Sequence, residues 1–587
     1  MSDAIKKAEE FLEREGAFRL GELLTETFHP KTRTLSQTAA TDLPAAIRML
    51  QSVDEEVPPA MEKVLRQDSF GRLVDAFGEA LSDGKRIYFT GCGATGRLSI
   101  LLEAAWRRFW REVGKISPKI SQMEDRVFSV MAGGDFALIK SVEGYEDFPD
   151  FGRYQLRERG VEQGDVVVAI TEGGETPFVI GTAWEGLAAG AKVFFVYNNP
   201  TELLCRHVKR SREVIEEPRI TKLDLTTGPM AITGSTRMQA TTAELFIVGS
   251  ALEIALMRFL RQRLSPFDYA QGEELHAERR RGTPDEYHRR LCELLEKLSS
   301  DEAVDMLAAA TAFEEGIYRR QGLVTYFADE FLLDVLTDTT ERSPTFMLPA
   351  FRKQDDNISP RSWAFVKDPL RSTKDAWREL LQREPRGLEW GCDAYERMNA
   401  PANLQTQPPK LNNTEIYKFI IGREPDPSRT DAADSALVVV GVGEEEHLIH
   451  AALEQFGPQY KKTAALIIGS ADAAGATDKT FRFPCTLADS PLQLWHHLAV
   501  KLILNTLSTA TMVRMDRVIG NAMVWLSPSN KKLIDRGCRL IARQTGCSYE
   551  RACIALHEAM EEVTSGQRQG KEVPSPVALA IERIQSG

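Results

Sequence analysis

Short apolar strand-like segments alternate with helical segments along this chain, and they do so in two separate series. In the first series the strand-like segments lie at residues 86–90, 127–131, 165–170 and 192–197. The run VVVAI at 166–170 is continuously apolar, as expected of a strand that is covered on both faces. Strands that alternate with helices are joined by crossovers, so this pattern predicts a parallel sheet with helices on both faces.

The same pattern returns in the second half of the chain. Strand-like segments lie at 323–327, 436–440 and 464–468, and the Pro- and Asn-rich stretch 399–414 is predicted to be a loop between two of them. We therefore predict an α/β protein made of two similar parallel-sheet units. After about Thr511 the sequence is typical of helices.

The length of the chain fits this division, since 587 residues exceed one ordinary domain. A hydrophobic content of 43% and a charged content of 27% are typical of a globular chain with ample core. The predicted parts are an N-terminal helical arm, a first α/β domain, a second α/β domain and a C-terminal helical cap, at residues 1–50, 51–270, 271–510 and 511–587.

The net charge of −12 argues against a general nucleic-acid or anionic-membrane binder, because such proteins neutralise phosphates with Lys and Arg. A local basic pocket for a small phosphorylated ligand remains possible. The first sixteen residues lack the apolar core of a signal peptide, and no run of 18 apolar residues occurs. The eight scattered cysteines form no CxxC pair. We therefore expect a cytoplasmic protein with reduced thiols.

A pair of histidines, His447 and His450, has a spacing that can bind a metal ion on a helix. However, the order HExxH is absent and no third ligand accompanies the pair. We expect a solvated helix face at these residues and predict no metal site.

A glycine-rich loop, GCGATGR at 91–97, follows the first strand and opens a helix. Glycines let backbone N–H groups approach an anion, and the helix N-terminus adds about half a positive charge. The loop also matches the dinucleotide pattern GxGxxG, although the helical AAWRRFWREV stands where that pattern wants an acidic residue. A purely structural glycine turn is a further alternative. On the phosphate interpretation, the binding residues are Gly93, Ala94, Thr95, Gly96 and Arg97.

Two more small-polar turns lie in the first unit. One contains Thr171, Glu172 and Gly173 after the third strand, and the other contains Ser235 and Thr236 before a long helix. Each alone is more typical of a turn with an N-cap than of a ligand loop. Together they lie where open sheets bind ligands, so the hydroxyls of these turns and of the glycine loop could surround one phosphate.

The sequence then resembles the sugar isomerase (SIS) family, in the branch of N-acetylmuramic acid 6-phosphate etherases and glucokinase regulatory protein. The matching motifs are GCGATGR, AGGDFALIKSVEGYED at 132–147, DVVVAITEGGETPFVIG at 165–181 and ITGSTRMQATTAE at 232–244. In the second half, LTDTTERSPTF at 336–346 and the stretch 501–533 resemble the same branch. The resemblance implies two flavodoxin-like SIS domains packed as a pseudo-dimer, with a C-terminal helical cap.

The two halves differ in their family motifs. The position of the family's catalytic glutamate falls on Ala105 in the first half and, 236 residues later, on Glu341 in the second. The second half has FADEFL at 327–332 instead of a glycine loop, and Lys501 stands where the first half has Leu245. We therefore predict one composite site, with the phosphate loops and Glu146 from the first domain and with Glu341 and Lys501 from the second.

The resemblance implies that Glu341 acts as an acid and Glu146 as a second carboxylate in an elimination on a phosphorylated hexose or amino sugar, without a cofactor or metal. The alternative is a non-catalytic sensor of a fructose phosphate that regulates a sugar kinase. We expect a monomer with an internal pseudo-dimer, or a homodimer.

Three positions depart from the etherase pattern: Gly173 replaces Ser, Glu175 replaces Arg and Gln239 replaces Lys. We expect Glu175 to point to solvent. The lost positive charges should weaken anion binding unless Arg97, Arg237 or Lys501 compensates.

Overall fold

The computed structural model describes residues 3–116, 118–142, 144–263, 282–469, 477, 479–566 and 574–586. The predicted boundary between the two α/β domains, at residues 270 and 271, lies outside the described residues. None of the helices in the described ranges is both long and apolar enough to cross a membrane.

The first unit contains a parallel five-stranded sheet in the order β2-β1-β3-β4-β5. Its strands are β1 Ile87–Gly91, β2 Val127–Met131, β3 Val166–Ile170, β4 Lys192–Tyr197 and β5 Ile220–Asp224. The four strands predicted here are present with shifts of one residue at most. Strand β5 was not predicted, because its sequence ITKLD is half polar.

The second unit contains another parallel five-stranded sheet, in the order β7-β6-β8-β9-β10. Its strands are β6 Leu323–Phe327, β7 Ala364–Lys367, β8 Ser435–Val442, β9 Lys462–Ile468 and β10 Lys479–Phe483. The first strand of each sheet lies between the second and third strands, so the two units share one flavodoxin-like topology. This confirms the α/β fold class and the duplication.

Helices cover the sheets and connect the units. Those of the arm and the first unit are α1 Asp3–Arg14, α2 Leu35–Thr41, α3 Leu43–Asp54, α4 Val57–Leu65, α5 Asp68–Ser82, α6 Gly93–Ile116, α7 Pro149–Glu158, α8 Pro177–Ala188, α9 Thr201–His207, α10 Lys209–Glu216 and α11 Gln239–Arg263. Those of the second unit are α12 Pro284–Leu298, α13 Asp301–Arg319, α14 Leu332–Phe346, α15 Thr373–Leu381, α16 Cys392–Arg397, α17 Ala402–Thr406, α18 Asn413–Ile416, α19 Pro427–Thr430, α20 Glu446–Phe456 and α21 Leu494–Arg514.

The C-terminal cap begins with a two-stranded antiparallel hairpin, β11 Val518–Ile519 and β12 Ala522–Met523. Three helices follow: α22 Lys531–Thr545, α23 Tyr549–Gly566 and α24 Pro576–Ser586. The N-terminal arm packs against this cap, since α1 lies along α23 and Leu20 N donates a hydrogen bond to Asp535 Oδ2 (3.2 Å). The helical C-terminal region that the sequence predicted is therefore present.

Candidate functional site

A cavity of about 210 Å³ lies at the carboxyl ends of the first sheet, where three parts of the chain meet. The first unit lines it with the glycine loop, the turn at 234–237 and residues 141, 142 and 144–146. The second unit contributes α14, and the cap contributes the start of α22. Of the predicted site residues, those that line the cavity are Gly93, Ala94, Arg97, Glu146, Glu172, Ser235, Thr236 and Glu341.

The glycine loop turns sharply from β1 into α6. A Cβ on Gly91 would lie 2.5 Å from the backbone carbon of Thr95, and a Cβ on Gly96 would lie 2.5 Å from Met131 Cγ. The Thr95 hydroxyl donates to Cys92 O (2.8 Å) and accepts from Cys92 N (3.0 Å). Thr95 and Gly96 therefore shape the loop, and Gly93 and Ala94 present it to the cavity.

The turn before α11 brings a free hydroxyl to the cavity. Gly234 has a φ of +75°, which glycine adopts without strain. Ser235 is 4% exposed, and its Oγ has no hydrogen-bond partner among the described residues. A buried hydroxyl without a partner is costly, so this group is suited to bind a ligand oxygen.

The turn after β3 contributes one side chain, Glu172. Burial raises the pKa of this carboxyl to about 7, against the opposing effect of Lys532. Thr171 and Gly173 do not line the cavity: the Thr171 hydroxyl is paired with the Thr176 hydroxyl (2.9 Å), and the Gly173 carbonyl accepts from Asn199 Nδ2 (3.0 Å).

Glu341 reaches the cavity from α14 of the second unit and is 5% exposed. Its Oε2 lies 3.8 Å from Arg237 Nη1, and Arg97 Nε donates to the neighbouring Thr340 hydroxyl (3.3 Å). Burial raises the pKa of Glu341, although Arg97 and Arg237 act in the opposite direction. Burial of this carboxyl thus favours its protonated form, while the two nearby cations favour its ionised form.

Glu146 enters the cavity from the segment between β2 and α7. Its Oε1 accepts a hydrogen bond from Asn530 Nδ2, and Asn530 Oδ1 accepts from Leu533 N (2.8 Å) as the N-cap of α22. Burial raises the pKa of Glu146, while Lys532 lowers it. One side chain of the cap thus fixes both its own helix and this carboxylate.

Lys501 lies outside the cavity, unlike the direct contact that the sequence predicted. Its Nζ donates to Arg237 O (3.1 Å), Met238 O (3.1 Å) and the Thr242 hydroxyl (2.7 Å). Burial lowers the pKa of Lys501 to about 8. Through these hydrogen bonds the lysine holds the backbone that joins the Ser235 turn to α11.

Two cations of the cap, Lys532 and Arg536, line the cavity and were not predicted. Their spacing of four residues on an amphipathic helix was the available signal, since it places both on one face. Lys532 Nζ lies 2.8 Å from Glu175 Oε1, and Arg210 Nη2 lies 2.6 Å from Glu175 Oε2. The expectation that Glu175 faces solvent is wrong: it is 2% exposed and neutralised by these cations.

The second unit fills the equivalent of the phosphate loop with its own carboxylate. Glu445 accepts hydrogen bonds from Val442 N (2.9 Å) and Glu330 N (3.2 Å). Burial raises the pKa of Glu445 to about 7. A phosphate would have to displace this carboxylate.

Within the described ranges, no group of three or more His, Cys, Asp or Glu side chains could hold a metal ion. His447 and His450 belong to no such group.

Comparison with known proteins relates this chain to sugar-phosphate proteins. The sequence model of the glucokinase regulatory protein N-terminal SIS domain matches residues 71–184. An N-acetylmuramic acid 6-phosphate etherase of Synechococcus sp. (strain CC9902) is 32% identical over 223 residues, which cover 38% of this chain and 62% of that protein. The chain thus spans less than two thirds of that relative. An etherase of Mesorhizobium japonicum is 30% identical over 236 residues, 40% of this chain and 68% of that protein.

Among solved structures, the C-terminal domain of glucosamine-fructose-6-phosphate aminotransferase from Francisella tularensis matches 80% of this chain and 96% of that domain. The TM-score is 0.42 and the sequence identity is 11%.

Proposed function

Because this chain belongs to the N-acetylmuramic acid 6-phosphate etherase family of SIS proteins, we propose that its cavity binds a phosphorylated amino sugar and cleaves an ether on it. One observation supports the proposal most directly. The glycine loop, the Ser235 turn and Glu146 of the first unit line the same cavity as Glu341 of the second unit. One chain supplies all of these groups, so we propose that a monomer is sufficient for activity.

The phosphate end of the proposed site is formed by backbone and hydroxyl donors. Gly93 and Ala94 stand at the N-terminus of α6, where the helix dipole favours an anion. The unpaired Ser235 hydroxyl lines the same wall. Lys532 and Arg536 add positive charge from the cap, in place of the basic residues that the family pattern has and this chain lacks.

The other end of the proposed site is acidic, with Glu341 and Glu146. The base takes the proton from carbon 2 of the sugar, while the acid protonates the ether oxygen on carbon 3 as the C–O bond breaks. Lactate leaves, and water then adds to carbon 3 as a proton returns to carbon 2. Burial raises the pKa of both carboxyls, so their pKa values do not tell the two roles apart. We assign the acid to Glu341, which stands at the position of the family's catalytic glutamate, and the base and water activation to Glu146.

Incubation with N-acetylmuramic acid 6-phosphate tests this proposal through the release of D-lactate. In heavy water, the sugar product should carry deuterium at carbon 2, because elimination exchanges that proton. Glu341→Gln should lower the turnover number by at least about a hundredfold, in keeping with the loss of a general acid. Glu330→Gln, a control just before the start of the same helix and outside the cavity, should be unaffected. Lactate release without deuterium in the sugar would contradict the mechanism.

A second candidate function is a sensor of a fructose phosphate that regulates a sugar kinase. It is favoured by the match to the glucokinase regulatory protein domain and by the cap residues that line the cavity. A ligand that touches all three parts can favour one arrangement of them over another, which a sensor requires. Thermal stabilisation by fructose 6-phosphate, with no turnover of the etherase substrate, would support this alternative.

We further propose a cytoplasmic location. All eight cysteines are free thiols in the structure, as expected in a reducing compartment.

A further inference from the structure

A second cavity, of about 490 Å³, lies beside the edge strand β7 of the second unit. Its walls come from the loop between α14 and β7 and from the segment 420–429. Four basic side chains and two acidic ones line it, which gives the lining a charge of +2 in a chain of net charge −12. The basic residues are Arg352, Lys353, Arg361 and Arg429.

Among the residues that the structure describes, three of these cations have no carboxylate within ion-pair distance. Within the described part of the chain, Arg352, Arg361 and Arg429 form no ion pair. Arg352 donates only to Ser359 O (3.4 Å), and Arg361 is exposed at the rim. Lys353 differs from the three, because its Nζ lies 2.6 Å from a carboxylate oxygen of Glu415.

Arg429 lines this cavity and is 3% exposed. Its guanidinium donates to the Thr325 hydroxyl (2.7 Å) and to the carbonyls of Ser362 (2.8 Å), Val324 (2.7 Å) and Trp363 (3.1 Å). These partners are uncharged, so no carboxylate of the described residues pairs directly with this buried guanidinium, and Asp426 acts on it only from beyond ion-pair distance.

A second buried cation, Lys367, binds the backbone of residues that line this cavity. Lys367 is 3% exposed, and its Nζ donates to the carbonyls of Glu424 (2.6 Å) and Ile420 (3.5 Å), two residues that line the cavity. Burial lowers the pKa of Lys367 to about 8 and that of Arg429 to about 10. Burial is the largest cause of both shifts, and a bound anion nearby would raise both pKa values toward their ordinary range.

The two acidic side chains of the lining are already engaged. Glu424 accepts from Thr373 N (2.7 Å) and from the Thr373 hydroxyl (2.8 Å). Asp426 accepts from Ser428 N (3.1 Å) and from the Ser428 hydroxyl (2.6 Å) as the cap of α19. Both carboxylates therefore serve local backbone structure, and neither forms an ion pair with the three arginines.

We propose that this cavity is a second binding site for a small phosphate monoester. A phosphate monoester carries between about −1.5 and −2 charges at pH 7, which balances the charge of +2 on the cavity lining. A guanidinium group can also bind two phosphate oxygens at once through two parallel hydrogen bonds. The volume exceeds that of a bare phosphate, and Phe365 and Ile420 offer an apolar wall for the organic part. The site is independent of the etherase proposal.

Calorimetric titration with phenyl phosphate tests the proposal, since this probe joins a phosphate to an apolar ring. To remove binding in the first cavity, the background is Ser235→Asp, whose carboxylate repels a phosphate there. In that background we expect one binding site, weakening as salt is added, and no binding of phenol. The double substitution Arg352→Gln and Arg361→Gln should weaken binding at least tenfold.

Arg397→Gln, on an exposed helix of the same unit outside the cavity, is the matched control and should bind normally. Both arginines of the double variant lie in a loop, and a thermal melt checks that it is folded. Absence of binding in the Ser235→Asp background, or equal affinity with and without the two arginines, would overturn the proposal. Neither result would bear on lactate release, so the two proposals fail separately.

Discussion

Replacing Glu26 by Gln should loosen the arm, the cap and the cavity together. Glu26 belongs to the N-terminal arm, yet its carboxylate lies between two guanidinium groups of α22. It lies 2.6 Å from Arg536 and 2.8 Å from Arg539, and its side chain is 1% exposed. Despite burial, these two cations hold the pKa of Glu26 well below its usual range. Since Arg536 also lines the cavity, Glu26 connects the arm to the proposed site.

The expected loss of stability depends on which of the two arginines loses its last ion-pair partner. Arg539 is 22% exposed and keeps a second carboxylate, Asp535, at 2.8 Å. The side chain of Arg536 is 6% exposed and has no other ion-pair partner among the described residues. Removal of one partner from a buried pair costs about 3–5 kcal/mol. Because only one of the two guanidiniums is stranded, we expect a loss of about 3 kcal/mol in the free energy of unfolding.

Urea titration followed by far-UV circular dichroism measures this loss. Glu15→Gln is the matched control: it also joins the arm to α22, through Lys531 at 2.9 Å, but the lysine is 39% exposed. Such a pair contributes less than about 1 kcal/mol. A sugar phosphate should stabilise the Glu26→Gln protein more than the wild type, because the phosphate then becomes the partner of Arg536. Equal losses in the two variants would refute the reasoning.

Three further predictions concern the cavity. Gly96→Ala should weaken sugar-phosphate binding at least tenfold by calorimetry, because its Cβ would lie 2.5 Å from Met131 Cγ and displace the glycine loop; unchanged affinity would contradict this. Lys532→Met should weaken the same binding about tenfold, through loss of a charged partner, while the neighbouring Lys531→Met should not; equal effects would argue against a cavity role for Lys532. The pKa of Glu172 is raised to about 7 in the folded protein, against about 4.3 unfolded, so stability should fall as the pH rises between these values. Glu172→Gln should therefore be more stable relative to the wild type at pH 8 than at pH 5, and urea titrations showing the same difference at both pH values would exclude this titration.

The sequence predicted the interior strands and missed three of the edge strands. Of the ten strands in the two parallel sheets, seven were predicted, and the three that were missed are β5, β7 and β10. All three lie at the edge of a sheet, and β5 (ITKLD) and β10 (KTFRF) carry charged residues on a partly exposed strand. Apolar continuity marks a strand only where both of its sides are covered, so an edge strand gives a weaker signal.

The parts of the candidate site that lie near strand ends of the first unit could be predicted from the sequence. The glycine loop directly follows β1, the Ser235 turn lies between β5 and α11, and the carboxyl ends of parallel strands meet at one edge. Their position follows from topology once the strands are known. Glu341 required the family pattern as well, because its helix belongs to the other unit.

The roles of single cations could not be derived in this way. Lys501 stands at the family position, but its side chain binds the backbone of the Ser235 turn. Gln239, which stands where the family has Lys, donates a hydrogen bond from Nε2 to Asp54 Oδ1 (2.8 Å). The four-residue spacing of Lys532 and Arg536 places them on one helix face, but the sequence does not show that the cap docks this face onto the first unit.

A crystal structure with bound N-acetylglucosamine 6-phosphate, the expected product, tests the central claim most directly. The account predicts the phosphate within hydrogen-bonding distance of the Gly93–Ala94 backbone and the Ser235 hydroxyl, with carbon 3 of the sugar turned toward Glu341 and Glu146. Ligand density in the second unit alone, or a sugar bound in the first cavity with its phosphate directed toward the two carboxylates, would contradict the account.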